Sequence, residues 1–465
     1  MNISCFLNSS LKSTFKGALI LSTGAFSFTS YGKVINATSL SQSSVQTAIN
    51  SASPGDTIQL PAESSSWSGQ LSITKKDLTI QGKGIGSTII SAGNKSIYLS
   101  GESANGLRIT GIEFRNGNQV IYSAGSGSPR QAIKNLRIDH CKLQGNYIFI
   151  ETTGAATGVF DHNTFLDSYA ARLYGSNDPV ARPPYPLGTS DALFFEDNTI
   201  SVTSGGNPPH WIASNSHSKY VVRYNTFDYK KSLWDIIDAH GACEVKGRGS
   251  ATWEIYNNKI GLVPTISRVI HLRGGQGVVF NNTFTGYNPS KAITITDYAV
   301  CNGPCTQSCT SYPCPDMINH AYFWNNRIGT TPVNPVNNCS NYIKLDRDYF
   351  NSEMPDYKPY TYPHPLTQPE EDFKTETINE ISHSGFSLSA SMLRGSASIS
   401  LQMSEQAPVK VTVYSANGIL VKELANEVKS AGTHSFSWDA ADNPSGIYII
   451  KASVGEAQKS FKLFR

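Results

Sequence analysis

The sequence has little net charge and no long apolar segment. Its 38 lysine and arginine residues nearly balance 35 aspartate and glutamate residues, giving a net charge of +3 and a pI near 8.3. A balance of this kind is not typical of a protein whose whole surface is basic and binds a polyanion. We therefore expect no nucleic-acid partner, and any basic site must be local. The apolar run from Gly17 to Phe28 is about a dozen residues long and is too short to span a bilayer. We therefore expect no membrane-spanning segment.

The same apolar run has the features of an export signal. Lys12 and Lys16 precede it, and the small residues Thr29 and Ser30 follow it. A basic region, a short apolar core and small residues, in that order, are typical of a secretory signal peptide. We expect residues 1–30 to be that peptide and the mature chain to be secreted or attached to the cell surface.

Paired CxxC motifs are absent, although the sequence has eight cysteines. Structural zinc sites often use such pairs, so zinc is the weaker interpretation. In an exported chain, clustered cysteines favour disulfides that staple a loop, and five of them cluster here: Cys301, Cys305, Cys309, Cys314 and Cys339. Without Cys5 of the signal peptide the count is odd. We expect at least one free thiol, at Cys141 or Cys243.

Helical periodicity is scarce as well, and a repeat takes its place. Apolar segments broken by polar residues recur, such as GVFDHNTF from 158 and GVVFNNTF from 277, and the first four intervals between their central asparagines are 35, 27, 33 and 24 residues. This spacing, with variable insertions, predicts a β-solenoid. Asparagine tolerates unusual backbone angles at bends and can bond to the next coil. We expect a structural ladder of Asn163, Asn198, Asn225, Asn258, Asn282 and Asn326.

The composition changes near residue 370. Segments such as VKVTVYSANGILVKEL from 409 alternate with period two and are separated by Gly, Asn and Pro. This pattern predicts a small β-sandwich over residues 370–465. An ordinary carbohydrate-binding or spacer module is the alternative, but no exposed aromatic trio favours binding.

With these repeats the chain resembles the pectate-lyase-like right-handed parallel β-helix, the fold of many polysaccharide lyases and some glycosidases. The resemblance covers roughly residues 35 to 365, and it implies an all-β chain with a β-helix domain over residues 31–369 followed by the small β-sandwich. The stretch from Ser43 to Ala52 resembles the helix that caps such solenoids. Gly446-Ile447-Tyr448 and the end from Lys459 to Arg465 resemble the type IX sorting domain of exported Bacteroidota proteins. That likeness implies the type IX secretion machinery as a partner and attachment at the outer membrane.

The repeat also predicts which side chains share one face. The offsets from a ladder asparagine to the next apolar strand residue are 12, 12 and 11 for 225 to 237, 258 to 270 and 282 to 293. Strands in this register alternate between inward and outward side chains. The predicted outward residues are Asp238, His240, His271 and Arg273, continued by Thr294 and Thr296. Upstream, Arg172 and Tyr174 are predicted to lie on the same face. The coil between these residues and Asp238 offers Trp211 or Ile212. Lys246 and Arg248 are predicted to lie at the rim of the face.

Such a basic face suits an acidic sugar chain, because guanidinium groups bind carboxylates and aromatic rings take sugar rings. For a uronate polymer the economical reaction is β-elimination, in which a base removes the C5 proton while a cation stabilises the carboxylate. We predict that Arg273 binds the substrate carboxylate, with Arg248 as the second candidate. His240 is the predicted base, with His271 as the alternative, and Tyr174 is the predicted acid. The residues predicted to bind substrate are Arg172, Trp211, Lys246 and Arg248. Asp238 would orient a histidine, hold a calcium ion as the one cofactor considered, or simply pair with Arg273.

Two other functions compete with this lyase prediction. A glycoside hydrolase needs two carboxylates at the scissile bond, for which Asp191, Glu196 and Asp197 become candidates if the register differs. The Asp-Asp and Gly-His-Gly motifs of polygalacturonases are not evident, and neither is the arginine-rich motif of pectate lyases. A non-catalytic glycan-binding adhesin is the third hypothesis, and His240, His271 and Arg273 argue against it. We therefore predict a secreted lyase acting on a uronate-containing polysaccharide.

Overall fold

The computed structural model divides into two units, one ending at Thr367 and one beginning at Gln368. The structure describes residues 32–145, 147–178, 184–203, 210–231, 235–241, 248–261, 268–286, 289–297, 312, 316–368, 386–393, 396–415, 420–440, 443, 447–455 and 457–464. The predicted signal peptide lies outside these ranges and stays a prediction. Within them, every helix is too short or too polar to cross a membrane.

The first unit is a parallel β-helix made of three long sheets with 12, 11 and 10 strands. The chain visits the sheets in that order in each coil, and strands from successive coils pair in parallel. Arg327–Ile328 and Thr331–Pro332 at the end of the 11-stranded sheet are an antiparallel exception. The predicted β-helix is confirmed.

The elements of the first unit have the following bounds. The 12-stranded sheet contains Val34–Asn36, Thr57–Gln59, Thr79–Gln81, Arg108–Thr110, Gln131–Asp139, Ala155–Asp161, Leu193–Glu196, Lys219–Arg223, Thr252–Tyr256, Gln276–Phe280, Ala321–Trp324 and Tyr349–Phe350. The 11-stranded sheet contains Ser64–Trp67, Ile89–Ala92, Glu113–Arg115, Lys142–Gln144, Thr164–Leu166, Thr199–Val202, Thr226–Tyr229, Lys259–Gly261, Thr283–Thr285, Arg327–Ile328 and Thr331–Pro332. The 10-stranded sheet contains Leu71–Ile73, Ile97–Ser100, Asn118–Ala124, Ile148–Thr153, Ala171–Tyr174, Ile212–Asn215, Ile237–Ala239, Ile270–Leu272, Ile293–Ile295 and Val336–Asn337. Short 3₁₀ helices cover Gly101–Ala104, Pro289–Lys291 and Pro365–Thr367.

One α-helix, Gln42–Ser51, packs at the start of the solenoid, as the capping prediction requires. Ser41 caps it by accepting a hydrogen bond from the backbone nitrogen of Ser44, which satisfies one of the N–H groups that lack a partner at a helix start. The helix buries Val45 and Ile49 in the same apolar core that the inward strand residues fill. The apolar core at this end of the solenoid is thereby covered.

The predicted asparagine ladder is present and buried. Asn163 Nδ2 donates to Asn198 Oδ1 at 3.0 Å, and the same bond repeats from coil to coil as far as Asn326. Left-handed φ angles of 52° to 58° fall on the residue before each of the six asparagines, such as Tyr224 and Asn257. The ladder asparagines therefore supply hydrogen bonds, while their predecessors make the unusual bend that the sequence interpretation gave to the asparagine itself.

The outer face of the 12-stranded sheet is covered by residues 354–367. Side chains from Met354, Tyr357, Tyr360 and Leu366 pack on a row of buried residues that includes Phe194. Beneath them Arg223 is fully buried; it pairs with Glu196 and donates to the carbonyl oxygens of Tyr360 and Thr361 at 2.7 and 2.8 Å. Glu196 is thus held inside this packing. It is unavailable as a hydrolytic carboxylate, which corrects its candidate role.

The second unit is a small antiparallel β domain. One sheet contains Phe386–Leu393, Ser396–Met403 and Gly432–Asp439, and the other contains Leu420–Lys429, Ala407–Ser415, Ile447–Val454 and Ala457–Phe464. Alternating residues such as Val411, Ile450 and Trp438 form its own apolar core. The predicted small β domain after the solenoid is confirmed.

The cysteine predictions are tested in part. Cys141 is a buried free thiol, as expected, whereas Cys243 lies outside the described residues. Cys339 is buried, but the other four clustered cysteines also lie outside the described part of the chain. Disulfide bonding within that cluster therefore stays a prediction.

Candidate functional site

The 10-stranded sheet carries the predicted polar face. Its strands pair Ile237 with Ile270 and Asp238 with His271, and the isoleucines are buried in the core. The predicted register is confirmed. The same row continues upstream through Arg172 of Ala171–Tyr174, so one sheet surface presents these side chains coil after coil.

Asp238 is the centre of a charge cluster on this face. Arg273 donates to it twice, from Nε to Oδ1 at 3.0 Å and from Nη2 to Oδ2 at 2.5 Å, and His240 Nε2 lies 3.1 Å from Oδ2. Burial acts to raise the pKa of Asp238, but the hydrogen bond and charge of His240 and the charges of Arg273 and His210 outweigh it and hold that pKa far below its usual range. Asp238 therefore stays ionised, and its salt bridge with Arg273, raised as an alternative, is present.

A second carboxylate, Asp235, completes this cluster, which we call the Asp238 cluster (His210, Asp235, Asp238, His240, Arg268, His271 and Arg273). Arg268 Nε donates to Asp235 at 2.8 Å, and the Nδ1 atoms of His210 and His271 lie 3.7 and 3.6 Å from it. Sequence reasoning missed His210 and Asp235 because they precede their strands, where strict alternation does not apply.

Three residues of the Asp238 cluster have the chemistry of metal ligands. The donor atoms of His210, Asp235 and Asp238 lie within 4.8 Å of one another. Calcium prefers six to eight oxygen ligands, whereas this set has one imidazole and two carboxylates that already accept hydrogen bonds from Arg268 and Arg273. The residues fit calcium poorly, so Asp238 acts as a partner of histidine and arginine.

Two predicted site residues are corrected by their burial. Trp211 is 0% exposed and packs in the core with its ring centroid 5.0 Å from that of Phe227, so it cannot take a sugar ring. His271 is 1% exposed, and its Nδ1 lies 3.6 Å from both Asp235 and Asp238, so the two aspartates occupy the ring that would have to act as a base. His240 differs, because 23% of its side chain is exposed.

The remaining predicted residues lie upstream or at the rim of this face. Arg172 is half-buried, with Nη1 3.3 Å from Glu151 Oε2, and Tyr174 of the same strand is also half-buried. Arg248 binds Asp316 through two nitrogens at 2.7 and 2.6 Å. Lys246 lies outside the described residues.

A cavity of about 200 Å³, lined by both polar and apolar groups, opens where the 10-stranded sheet turns into the 12-stranded sheet. This volume has room for roughly six or seven waters, comparable to one sugar ring. Its lining, which we call the His217 cavity, consists of Pro129, Gln131, Thr152, Gly154, Ala155, Ala156, Leu173, Gly175, Ser176, Asp178, Tyr185, Asp191, Leu193, His217, Ser218 and Lys219.

His217 is the most buried titratable group of this cavity, at 4% exposure. Its Nδ1 lies 3.1 Å from Ser176 Oγ, and its ring meets Tyr185 edge-on at 4.9 Å. Nε2 is buried and has no hydrogen-bond partner among the residues that the structure describes. Burial, followed by the positive charge of Arg248, lowers the pKa of His217 to about 4. The imidazole is therefore neutral at pH 7.

Cationic groups flank this imidazole. Arg248 Nη2 donates to the Tyr185 hydroxyl oxygen at 3.1 Å, and Lys219 pairs with Asp191, whose side chain is 57% exposed. The backbone at Gly175 lies close to the backbone at Ser218. Only glycine fits there, since a Cβ on residue 175 would stand 2.3 Å from the backbone nitrogen of Ser218. The cavity is thus lined by a neutral imidazole, a phenol and the ammonium of Lys219 around space for one ring, and Arg248 is hydrogen-bonded to the phenol.

Sequence reasoning missed the residues that line this cavity, apart from the hydrolytic candidate Asp191, although it did name Arg248, which is hydrogen-bonded to the lining residue Tyr185. Ser176, His217 and Ser218 follow the strand residues that the alternation covers, and Tyr185 lies in a long insertion between coils. The stretch Ser216-His217-Ser218-Lys219 was an available signal, because a histidine and a lysine follow a strand end on the same coil as Ile212.

Comparisons with known proteins find two similarities. A sequence profile of the FlgD Ig-like domain matches residues 388–458, within the second unit. A solved structure of an alginate lyase from Paenibacillus sp. str. FPU-7 is similar with a TM-score of 0.38 and 14% identity, covering 57% of this chain and 98% of that chain. That likeness is too low to assign an activity. No curated protein matches the sequence.

Proposed function

We propose that this protein is a polysaccharide lyase that cleaves a uronate-containing polysaccharide by β-elimination, with the reacting sugar in the His217 cavity. The observation that supports this most is the meeting of a neutral imidazole, a phenol and the ammonium of Lys219 around a space that fits one ring, with Arg248 hydrogen-bonded to the phenol. A concave site with convergent polar groups is where binding or chemistry is first expected. The Asp238 cluster, by contrast, already satisfies its charges internally.

The proposed proton transfers use His217 and Tyr185. The imidazole Nε2 removes the C5 proton, the C4–O bond breaks as the C4–C5 double bond forms, and Tyr185 gives its proton to the leaving oxygen. His217 is neutral and so can accept a proton at pH 7. Arg248, donating to the Tyr185 oxygen, stabilises the phenolate left behind.

The substrate carboxylate is assigned to Lys219. Its present partner, Asp191, is mostly exposed, and exposed ion pairs contribute little to stability. A substrate carboxylate can therefore replace Asp191 at small cost. The lysine then offsets the negative charge that builds on the carboxylate when the C5 proton leaves.

His240, Arg273 and Tyr174 keep supporting roles in this proposal. They lie on the adjoining sheet face, where Tyr174 immediately precedes the cavity residues Gly175 and Ser176. We assign this face to sugars next to the reacting one. His240 remains the alternative base, because it is partly exposed and hydrogen-bonded to an ionised aspartate.

Hydrolysis is the second candidate, and one observation favours it. Asp178 and Asp191 both line the cavity, so two carboxylates adjoin the same space, as hydrolases require. Products separate the two reactions. Elimination leaves an unsaturated uronate and takes up no water, whereas hydrolysis in heavy-oxygen water labels the new reducing end.

The decisive experiment offers purified protein a panel of alginate, pectate and glycosaminoglycans. Ultraviolet absorbance of the unsaturated product is expected for at least one polymer. His217→Gln and Tyr185→Phe should each lower kcat about a hundredfold or more with unchanged circular dichroism, whereas His240→Gln should lower it less than tenfold. The reverse order moves the base to His240. Saturated, labelled products would reject the lyase, and no cleavage at all would favour the adhesin.

Export by the type IX machinery and attachment at the cell surface are a separate proposal for residues 370–465. The support is the sequence resemblance at the chain end, together with an independent β domain that the solenoid core does not include. Fusing these residues to a periplasm-targeted reporter should move it to the cell surface only in cells with intact type IX machinery. Equal surface display without that machinery would refute the proposal.

A further inference from the structure

An aromatic ledge lies upstream on the 10-stranded sheet, outside both groups described above. Tyr98 and Tyr122 occupy equivalent positions on adjacent strands, with ring centroids 6.1 Å apart and planes at 27°. Lys95 Nζ lies 3.9 Å from the centre of the Tyr122 ring. All three side chains are half-buried, so each is packed yet still reachable from solvent.

The charge of Lys95 distinguishes this ledge from ordinary surface packing. Among the described residues, Lys95 takes part in no ion pair, and the Tyr122 ring beneath its ammonium holds that group in place. An ammonium has three donors, and a ring face uses none of them fully. The ledge therefore offers an oriented cation next to a second aromatic ring, which is the chemistry that binds a sugar bearing a carboxylate.

The ledge is continuous with the proposed reaction site. The row that contains Tyr122 passes through Glu151 and then Arg172, one strand at a time. With strands about 4.8 Å apart, Arg172 lies about 10 Å from Tyr122 along the stack. Arg172 is in the strand that leads directly into the His217 cavity. A polymer seated in the cavity thus reaches the ledge by crossing one sheet face.

We propose that Lys95, Tyr98 and Tyr122 form a remote subsite that holds a non-reacting uronate residue of the same polysaccharide chain. Lys95 binds the carboxylate, and Tyr98 contacts the sugar ring. This inference rests on the proposed function for the identity of the chain. In this proposal the protein binds its substrate several sugars away from the bond that it breaks. It therefore binds long chains more tightly than short ones.

The test measures binding and cleavage of long alginate and pectate chains and of their disaccharides and trisaccharides. Tyr98→Ala and Lys95→Gln should each raise KM for the polymer by about tenfold at unchanged kcat, with no change for oligomers too short to reach the ledge. Tyr322→Ala, which disrupts a similar stacked pair with Phe350 on the 12-stranded sheet, is the matched control and should leave KM unchanged. Equal KM values for wild type and both ledge variants would overturn the proposal.

Binding without turnover separates this inference from the proposed function. Affinity electrophoresis in gels containing alginate or pectate should show weaker retardation of the Tyr98→Ala and Lys95→Gln variants in a His217→Gln background. Retardation lost in these variants supports the subsite even if no cleavage is detected. Retardation equal to that of the parent, or lost equally in Tyr322→Ala, refutes the subsite even if the enzyme is a lyase.

Discussion

The Asp238 cluster and the His217 cavity contain similar residue types but use their charges differently. In the cluster, two carboxylates are matched by Arg268 and Arg273, and all seven side chains converge on one another. In the cavity, the buried imidazole meets a space instead of a carboxylate. Charges that are paired with one another, as in the Asp238 cluster, stabilise the sheet face. Polar groups that line a cavity, as around His217, can instead bind a ligand.

The largest expected effect separates the two regions by stability. Asp238→Ala should lower the free energy of unfolding of the solenoid by about 3–5 kcal/mol, because Arg273 is then left buried without its partner. Chemical denaturation followed by fluorescence measures this loss. Asp228→Ala, which removes an exposed partner of Lys230, is the control and should change stability by less than about 1 kcal/mol. Similar losses in both variants would mean that the cluster is not a stabilising network.

The second prediction is that activity depends on the shape of the His217 cavity. Gly175→Ala should lower kcat/KM about tenfold, because the added Cβ meets backbone atoms of His217 and Ser218 and must displace them. Steady-state kinetics on the best polymer measures this effect. Gly69→Ala is the matched control, since its Cβ would meet only the flexible side chain of Gln42. Unchanged kinetics for Gly175→Ala would show that the cavity does not bind the reacting sugar.

The pH dependence sharpens the choice of base. His217 has a pKa lowered to about 4, so it is neutral above pH 4 and becomes protonated as the pH falls through that value. A base must be neutral to accept a proton, so the acid limb of kcat/KM should fall near pH 4. An ordinary histidine would give a limb near 6.5. A limb near 6.5 that disappears in His240→Gln would transfer the role of base to the Asp238 cluster.

The smallest expected effect is that of metal removal. Dialysis against a chelator should change kcat by less than about twofold, since Asp235 and Asp238 already pair with Arg268 and Arg273, and together with His210 they offer too few oxygens for calcium. Activity that is lost after chelation and restored by calcium alone would show that the protein needs a calcium ion. The measurement is the rate of product absorbance before and after chelation.

The sequence predicted the repeating parts better than the unique ones. Asn163 to Asn326 and the pair Asp238 and His271 were predictable because a strand alternates with period two and each coil repeats the same bend. The coil before Asp238 was predicted wrongly, because both residues offered for the outward face, Trp211 and Ile212, are buried in the core and the row between Arg172 and Asp238 is continued by Ala213. His217 and Tyr185 meet across loops of variable length, and no local pattern encodes such a meeting.

Arg223 gives this solenoid an unusual order of assembly. A coil of a repeat protein normally completes itself with its immediate neighbours. Arg223, however, donates to carbonyl oxygens 137 and 138 residues further along the chain. As the chain emerges during synthesis, the coil containing Arg223 is complete in its strands well before the residues that satisfy its guanidinium exist. That coil therefore acquires its final stability only when residues 354–367 pack over the sheet, so the end of the first unit stabilises a coil in its middle.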